Sequence, residues 1–163
     1  MKSIPRILRT KNQNTENIEL VAAMNSVARQ DNNHARHRLY TALLDSTLVV
    51  PTPELPAAWS MPGRHIANGK TAFQIVTVDK ADGTSVTPVF SDEAALRNWD
   101  PNMPSVKLKG RDYFLLVHQT PIQEVAINPF DPIRKMIRVG GSVRRWEIDI
   151  LAKGEIPTPH PAT

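Results

Sequence analysis

The chain has 163 residues, with 20 Lys and Arg against 16 Asp and Glu, a formal net charge of +4 and a sequence pI near 9.6. At 40% hydrophobic and 22% charged, it has the composition of one globular domain large enough to bury its own core. It contains no cysteine, which excludes disulfides, thiolate metal ligands and cysteine nucleophiles, and no apolar run approaches the ~20 residues that span a bilayer.

Residues 1–14 read as a basic flexible arm. The opening MKSIPRILRTKNQ lacks the roughly 7–15-residue apolar core of a signal peptide, so the expected setting is soluble and cytoplasmic. From Thr15 the spacing predicts a helix, with Asn14 or Thr15 as cap and Leu20, Ala23, Met24 and Val27 on one face. Asp31-Asn32-Asn33 breaks it and caps a second helix with Ala35, Leu39, Ala42, Leu43 and Ser46 inside. So short a link predicts a helical hairpin.

Thr47–Val50 is a β-branched run ended by Pro51, the expected first strand. Four of the chain's 14 prolines, with Gly63, Gly69 and Trp59, make 51–71 a long loop. Phe73–Asp79 and Ser85–Phe90 flank Asp82-Gly83 as a predicted hairpin. Ser91 is then expected to cap a helix reaching Trp99, with Asp92 and Glu93 in its first turn and Asp100-Pro101 at its end.

Val106–Lys109 is a short predicted strand. Arg111–Gln119 fits two descriptions: YFLLV suits a buried strand, whereas its place between two strand candidates favours a helix, which is the reading taken. Glu124–Asn128 is a strand stopped by Pro129. A last helix is expected over Ser142–Lys153, capped by Ser142, with Val143, Trp146, Ile150 and Leu151 inward and Gly154 as its stop. The Pro-rich tail, residues 158–163, should be loose. The expected fold class is α+β (α/β-like), a mixed β-sheet with an N-terminal helical hairpin and a C-terminal helix packed on it. Residues 15–157 form one domain in this reading.

Laid out in this order, the chain resembles the N-terminal domain of the SseB family (enhanced serine sensitivity protein B). The pieces that carry the resemblance are NIELVAAMNSVARQ, RHRLYTALLDSTLVVP, TPVFSDEAALRNW, AINPF and the closing AKGEIP. The resemblance covers roughly residues 15–157. It implies a bacterial α/β domain without an established catalytic activity. Some members are associated by name with serine sensitivity or type III secretion. Longer members carry a second domain, for which this chain has no room. No catalytic residue carries over, because the family pattern supplies none.

Read from the residues themselves, the chemistry is sparse. His34 and His37 have a helical ligand spacing but stand among Arg36 and Arg38, which repel a cation, so no metal is assigned. His118, Ser91, Asp92 and Ser142 supply the residue types of a hydrolase, yet no G-x-S-x-G elbow frames either serine. Asp92/Glu93 and Glu147/Asp149 suit helix surfaces, and Gly140-Gly141 lacks a phosphate-loop spacing. No cofactor and no catalytic residue is assigned.

Two candidates remain. Arg134, Lys135, Arg138, Arg144 and Arg145 form a basic run without an acidic residue, a candidate anion-binding patch at a helix start. Asn128, before Pro129 at a strand end, is a candidate ligand-turn residue, with local turn geometry as the competing account. The preferred expectation is a non-enzymatic protein-binding or adaptor domain with a protein partner. The alternatives are an anion or nucleic-acid binder through residues 134–145, and a small enzyme with its site under the 51–71 loop.

Overall fold

The computed structural model describes residues 17–53, 55, 73–129 and 141–158. The expected arm, the caps Asn14 and Thr15, most of the 51–71 loop with Trp59, Gly140, and the tail beyond Thr158 lie outside the described residues.

Helix α1 (Ile18–Arg29) buries Leu20, Ala23 and Met24, the i, i+3, i+4 set that its sequence spacing offers. Helix α2 (Asn33–Asp45) starts where the Asn32 side chain accepts the Ala35 N–H at 2.8 Å. Its buried stripe includes Tyr40 and Leu44 besides the expected Ala35, Leu39, Ala42 and Leu43, and α1 and α2 pack on one another as a hairpin.

Strand β1 (Thr47–Pro51) pairs antiparallel with β4 (Ser105–Lys109), placing Val50 opposite Val106 and Leu48 opposite Leu108. A second sheet runs β2 (Val78–Asp79), β3 (Ser85–Val89), β5 (Glu124–Ile127), β6 (Gly141–Arg144). β3 and β5 are parallel and the other neighbours antiparallel. Val49 and Phe90 exchange two backbone hydrogen bonds of 2.9 Å, which tie the first sheet to the end of β3. The architecture is α+β. No helix among the described residues is long and apolar enough to cross a membrane.

Helix α4 (Gly110–His118) settles the segment that fitted two descriptions. Tyr113, Phe114 and Val117 are buried while Leu115 is 46% exposed. A strand would have put residues 113, 115 and 117 on one face. Gly110 opens α4 against the α2 backbone: a Cβ there would collide with the Leu43 carbonyl oxygen, while Gly110 N donates to Ser46 O at 2.8 Å.

Four expectations need correction. The inner face of the last helix is Glu147, Ile148 and Leu151, with Trp146 and Ile150 only half-buried and Glu147 not at the surface. Helix α3 (Glu93–Trp99) is capped by Asp92, whose Oδ1 accepts the Ala95 N–H at 2.8 Å, and not by Ser91, which is wholly buried one position earlier. Residues Gly141–Arg144 form a strand, so Ser142 caps nothing and helix α5 (Arg145–Leu151) begins later. The strand wins because Val143 lies inward opposite Val125 with Ser142 and Arg144 outward, a period of two. The predicted strand Phe73–Asp79 shrinks to two residues. Near its missing part, the Val76 carbonyl accepts the Thr87 hydroxyl at 2.7 Å.

The main core joins both helices of the hairpin, α4 and α5 to β1, β3, β4, β5 and β6. A smaller cluster of Val49, Phe90, Ala95 and Leu96 seats α3.

Candidate functional site

The carboxyl ends of parallel strands β3 and β5 are where α/β proteins commonly hold ligands. Here they hold a buried polar knot. Asn128 has φ +49°, the left-handed region that asparagine tolerates better than most residues, and its N–H donates to Val89 O at 2.9 Å. Its amide is then consumed by one neighbour: Oδ1 accepts the Ser91 N–H and Nδ2 donates to Ser91 Oγ, both at 3.0 Å. Ser91 Oγ donates in turn to Asp92 Oδ2 at 2.8 Å.

Asn17 closes the knot from the start of α1. Its Nδ2 donates to Ser91 O and, at 3.1 Å, to Thr47 O. Asn17, Ser91 and Asn128 are all buried, and Asn17 Oδ1 has no hydrogen-bond partner. Asn17 and Asn128 both hold the Ser91 backbone, from opposite ends of the chain, and the Ser91 hydroxyl bonds the Asn128 and Asp92 side chains. Ser91 has a carboxylate and an amide as hydroxyl partners and no imidazole, so the arrangement is not that of an activated nucleophile.

Of the basic run, Arg134, Lys135 and Arg138 lie outside the described residues. Arg144 is exposed in β6, in register with Glu124. Arg145 spends its guanidinium on the end of α4: Nη1 donates to Thr120 O at 2.6 Å and Ile122 O at 2.9 Å, and Nη2 to His118 O at 2.7 Å. Helix ends leave carbonyls such as that of His118 without partners, and Arg145 supplies one there and for the two loop carbonyls that follow. Its Nε also pairs with Asp149 at 3.1 Å. The start of α5 is filled by its own carboxylate, since Glu147 Oε1 accepts the Arg144 N–H at 3.0 Å. Of the five basic residues, the two that are described diverge, one outward and one into the α4 terminus.

His118 Nδ1 meets Asp149 Oδ1 at 2.8 Å, with both side chains about two-fifths exposed. Neither candidate serine joins them: Ser91 is in the knot, and Ser142 Oγ faces Glu124 at 3.4 Å. His34 and His37 stand beside an open groove along the hairpin. No group of three or more potential metal ligands occurs among the described residues.

That groove has a volume of about 410 Å³ and is lined by Glu19, His34, His37, Arg38, Thr41, Ala42, Asp45 and Ser46. Arg38 clamps Glu19 with two hydrogen bonds, 2.6 Å from Nε and 3.2 Å from Nη2, and reaches Ser26 Oγ at 3.1 Å. Through that contact Arg38 draws the Glu19 carboxyl below its usual pKa and is itself held more firmly protonated. Thr41 Oγ1 donates to His37 O at 2.9 Å. A smaller hollow of about 280 Å³ shares Asp45 and adds Leu44, Lys109, Arg111 and Asp112. Sequence reasoning missed the groove as a surface. Its signal is the polar face of α2, residues 34, 37, 41 and 45 at helical spacing, of which only His34 and His37 are weighed in the sequence, as metal ligands.

A family model described as SseB protein N-terminal domain matches residues 20–139. The match takes in the groove apart from Glu19, β1 to β5 and the Ser91–Asn128 contact, and ends before β6 and α5. No curated protein and no solved structure matches the chain.

Proposed function

The chain belongs to the SseB family, whose N-terminal domain spans most of it, and from that premise we propose that it is a non-enzymatic docking domain acting through protein contacts in the bacterial cytoplasm. The carrying observation is a division of labour among polar side chains. At the strand exits they are buried and bonded to backbone or to each other, whereas the hairpin groove is open and lined with charged and hydrogen-bonding groups. A reacting group needs a base, acid or nucleophile free to exchange protons with a substrate. A docking surface needs accessible, pre-arranged polar groups, which the clamp between Arg38 and Glu19 provides.

The alternative reading, an anion site at the basic run, draws less support because Arg145 is committed to backbone carbonyls at and just after the end of α4. The test is site-specific photo-cross-linking in host cells, with the reactive residue at exposed Thr41 in the groove or at exposed Asp82 in the β2–β3 turn. A discrete cross-linked protein from Thr41 and none from Asp82 is the expected result. Equal labelling from both, or turnover of a metabolite abolished by one polar substitution, overturns the proposal.

A further inference from the structure

One edge of β3 changes partner partway along its length. Ser85 O and Val89 O accept the N–H groups of Gln123 and Asn128 on the β5 side, at 3.1 and 2.9 Å, so the even-numbered residues of β3 face the other way. On that side Val86 stands opposite Val78 of β2, and Phe90 exchanges backbone bonds with Val49 of β1. Pro88 lies between them. Continuing the β2–β3 register places it opposite Val76, where a strand residue donates its N–H to the facing carbonyl. Proline has no N–H to give. The Thr87 hydroxyl supplies the missing donor, 2.7 Å from Val76 O.

Among the described residues that is the only hydrogen bond made by residues 73–77. Phe73 and Ile75 hold the same segment down by packing, partly buried, against the main core. Thr87 also adjoins Tyr113 of α4, which is wholly buried and whose hydroxyl has no hydrogen-bond partner. A buried polar group without a partner costs free energy that is recovered when water reaches it.

We propose that residues 73–77 form a strap that lifts while the rest of the fold stays closed, with the Thr87 hydroxyl as its polar latch and the unpaired Tyr113 hydroxyl favouring release. Lifting uncovers Phe73 and Ile75 and admits water to Tyr113. None of residues 73–77 lines the hairpin groove, so the strap stands or falls apart from the docking reading.

The experiment is native-state proteolysis of the full chain with chymotrypsin. Mass spectrometry compares the cut between Phe73 and Gln74 with that between Phe114 and Leu115 inside α4. The first bond is expected to be cut faster, at a rate that mild urea does not change. Thr87→Val keeps the side-chain shape but leaves Val76 O without its donor, and should quicken that cut about tenfold. Adding Pro88→Ala returns an N–H opposite Val76 and should restore the slower rate. Tyr113→Phe removes the unpaired hydroxyl and should slow the cut. Equal rates at the two bonds, a parental rate in Thr87→Val, no rescue by Pro88→Ala, or a cut that Tyr113→Phe does not slow overturns the strap.

Discussion

Tyr40 in α2 and Glu147 in α5 stand 107 positions apart in the chain and meet in a buried hydrogen bond of 2.5 Å, hydroxyl to Oε2. The same carboxylate accepts the Arg144 N–H and has the Arg36 guanidinium 3.8 Å away. Arg36 is held from the other side by Asp31 at 2.6 and 2.7 Å. This contact latches the hairpin to the C-terminal helix.

Tyr40→Phe leaves a buried carboxylate one donor short, and is expected to cost about 1–3 kcal/mol in urea unfolding. Its pH signature has a definite sign. Burial, with the Glu147 bond second, pushes the Tyr40 phenol up to about 12. The phenol of the unfolded chain ionises near ~10, so the folded state holds its proton longer. The stabilisation is therefore complete below pH ~10 and is lost as the pH rises through about 12. Unfolding followed across that window should show a shallower decline in Tyr40→Phe than in the parent.

Asn128 tests the strand-exit knot. Asn128→Gly keeps the left-handed backbone accessible but removes both bonds to Ser91, whereas Asn128→Ala removes them and strains the backbone as well. Thermal unfolding should rank Asn above Gly above Ala, with Ala about 1–3 kcal/mol below the parent. A Gly variant less stable than Ala would contradict the geometry.

Gly110 and Gly141 form a matched pair. Gly110→Ala drives a methyl group into the Leu43 carbonyl, a backbone neighbour that cannot step aside, and should cost about 1–3 kcal/mol or more. Gly141→Ala meets nothing within 4 Å and should stay within about 0.5 kcal/mol. Chemical denaturation of the two variants side by side checks this.

Arg144 and Arg145 should separate just as sharply. Arg145→Ala removes a donor from the carbonyls of His118, Thr120 and Ile122, at the end of α4 and in the segment after it, and is expected to lower stability by about 1–3 kcal/mol, with faster amide exchange there. Arg144→Ala, exposed at the sheet edge, should change stability by no more than about 0.5 kcal/mol.

Much of the fold was legible because the signals were local. Asn32 caps as its residue type suggests, Asp82-Gly83 turns with Gly83 at φ +87°, and the α2 stripe follows from spacing. Ser91 misled because Ser and Asp are both good caps, and only the partnership with Asn128, 37 positions away, shows which one is taken. Ser142 misled in the same way: serine before apolar residues looks like a helix start, and the pairing of Val143 with Val125 makes it a strand. Arg145 looked like a ligand-seeking charge because its real acceptors are backbone carbonyls at and just after the end of α4, which carry no residue-type signature. The clamp between Glu19 and Arg38 spans two helices and was equally invisible.

The central claim is that partners meet this domain on the hairpin groove and not at the strand exits. The direct measurement is retention of the protein cross-linked at Thr41 by two variants at a temperature where both are folded: Thr41→Trp, which fills the groove, and Asn128→Gly, which loosens the strand-exit knot. The account predicts that Thr41→Trp loses the partner and Asn128→Gly keeps it. Retention by Thr41→Trp with loss by Asn128→Gly would contradict it.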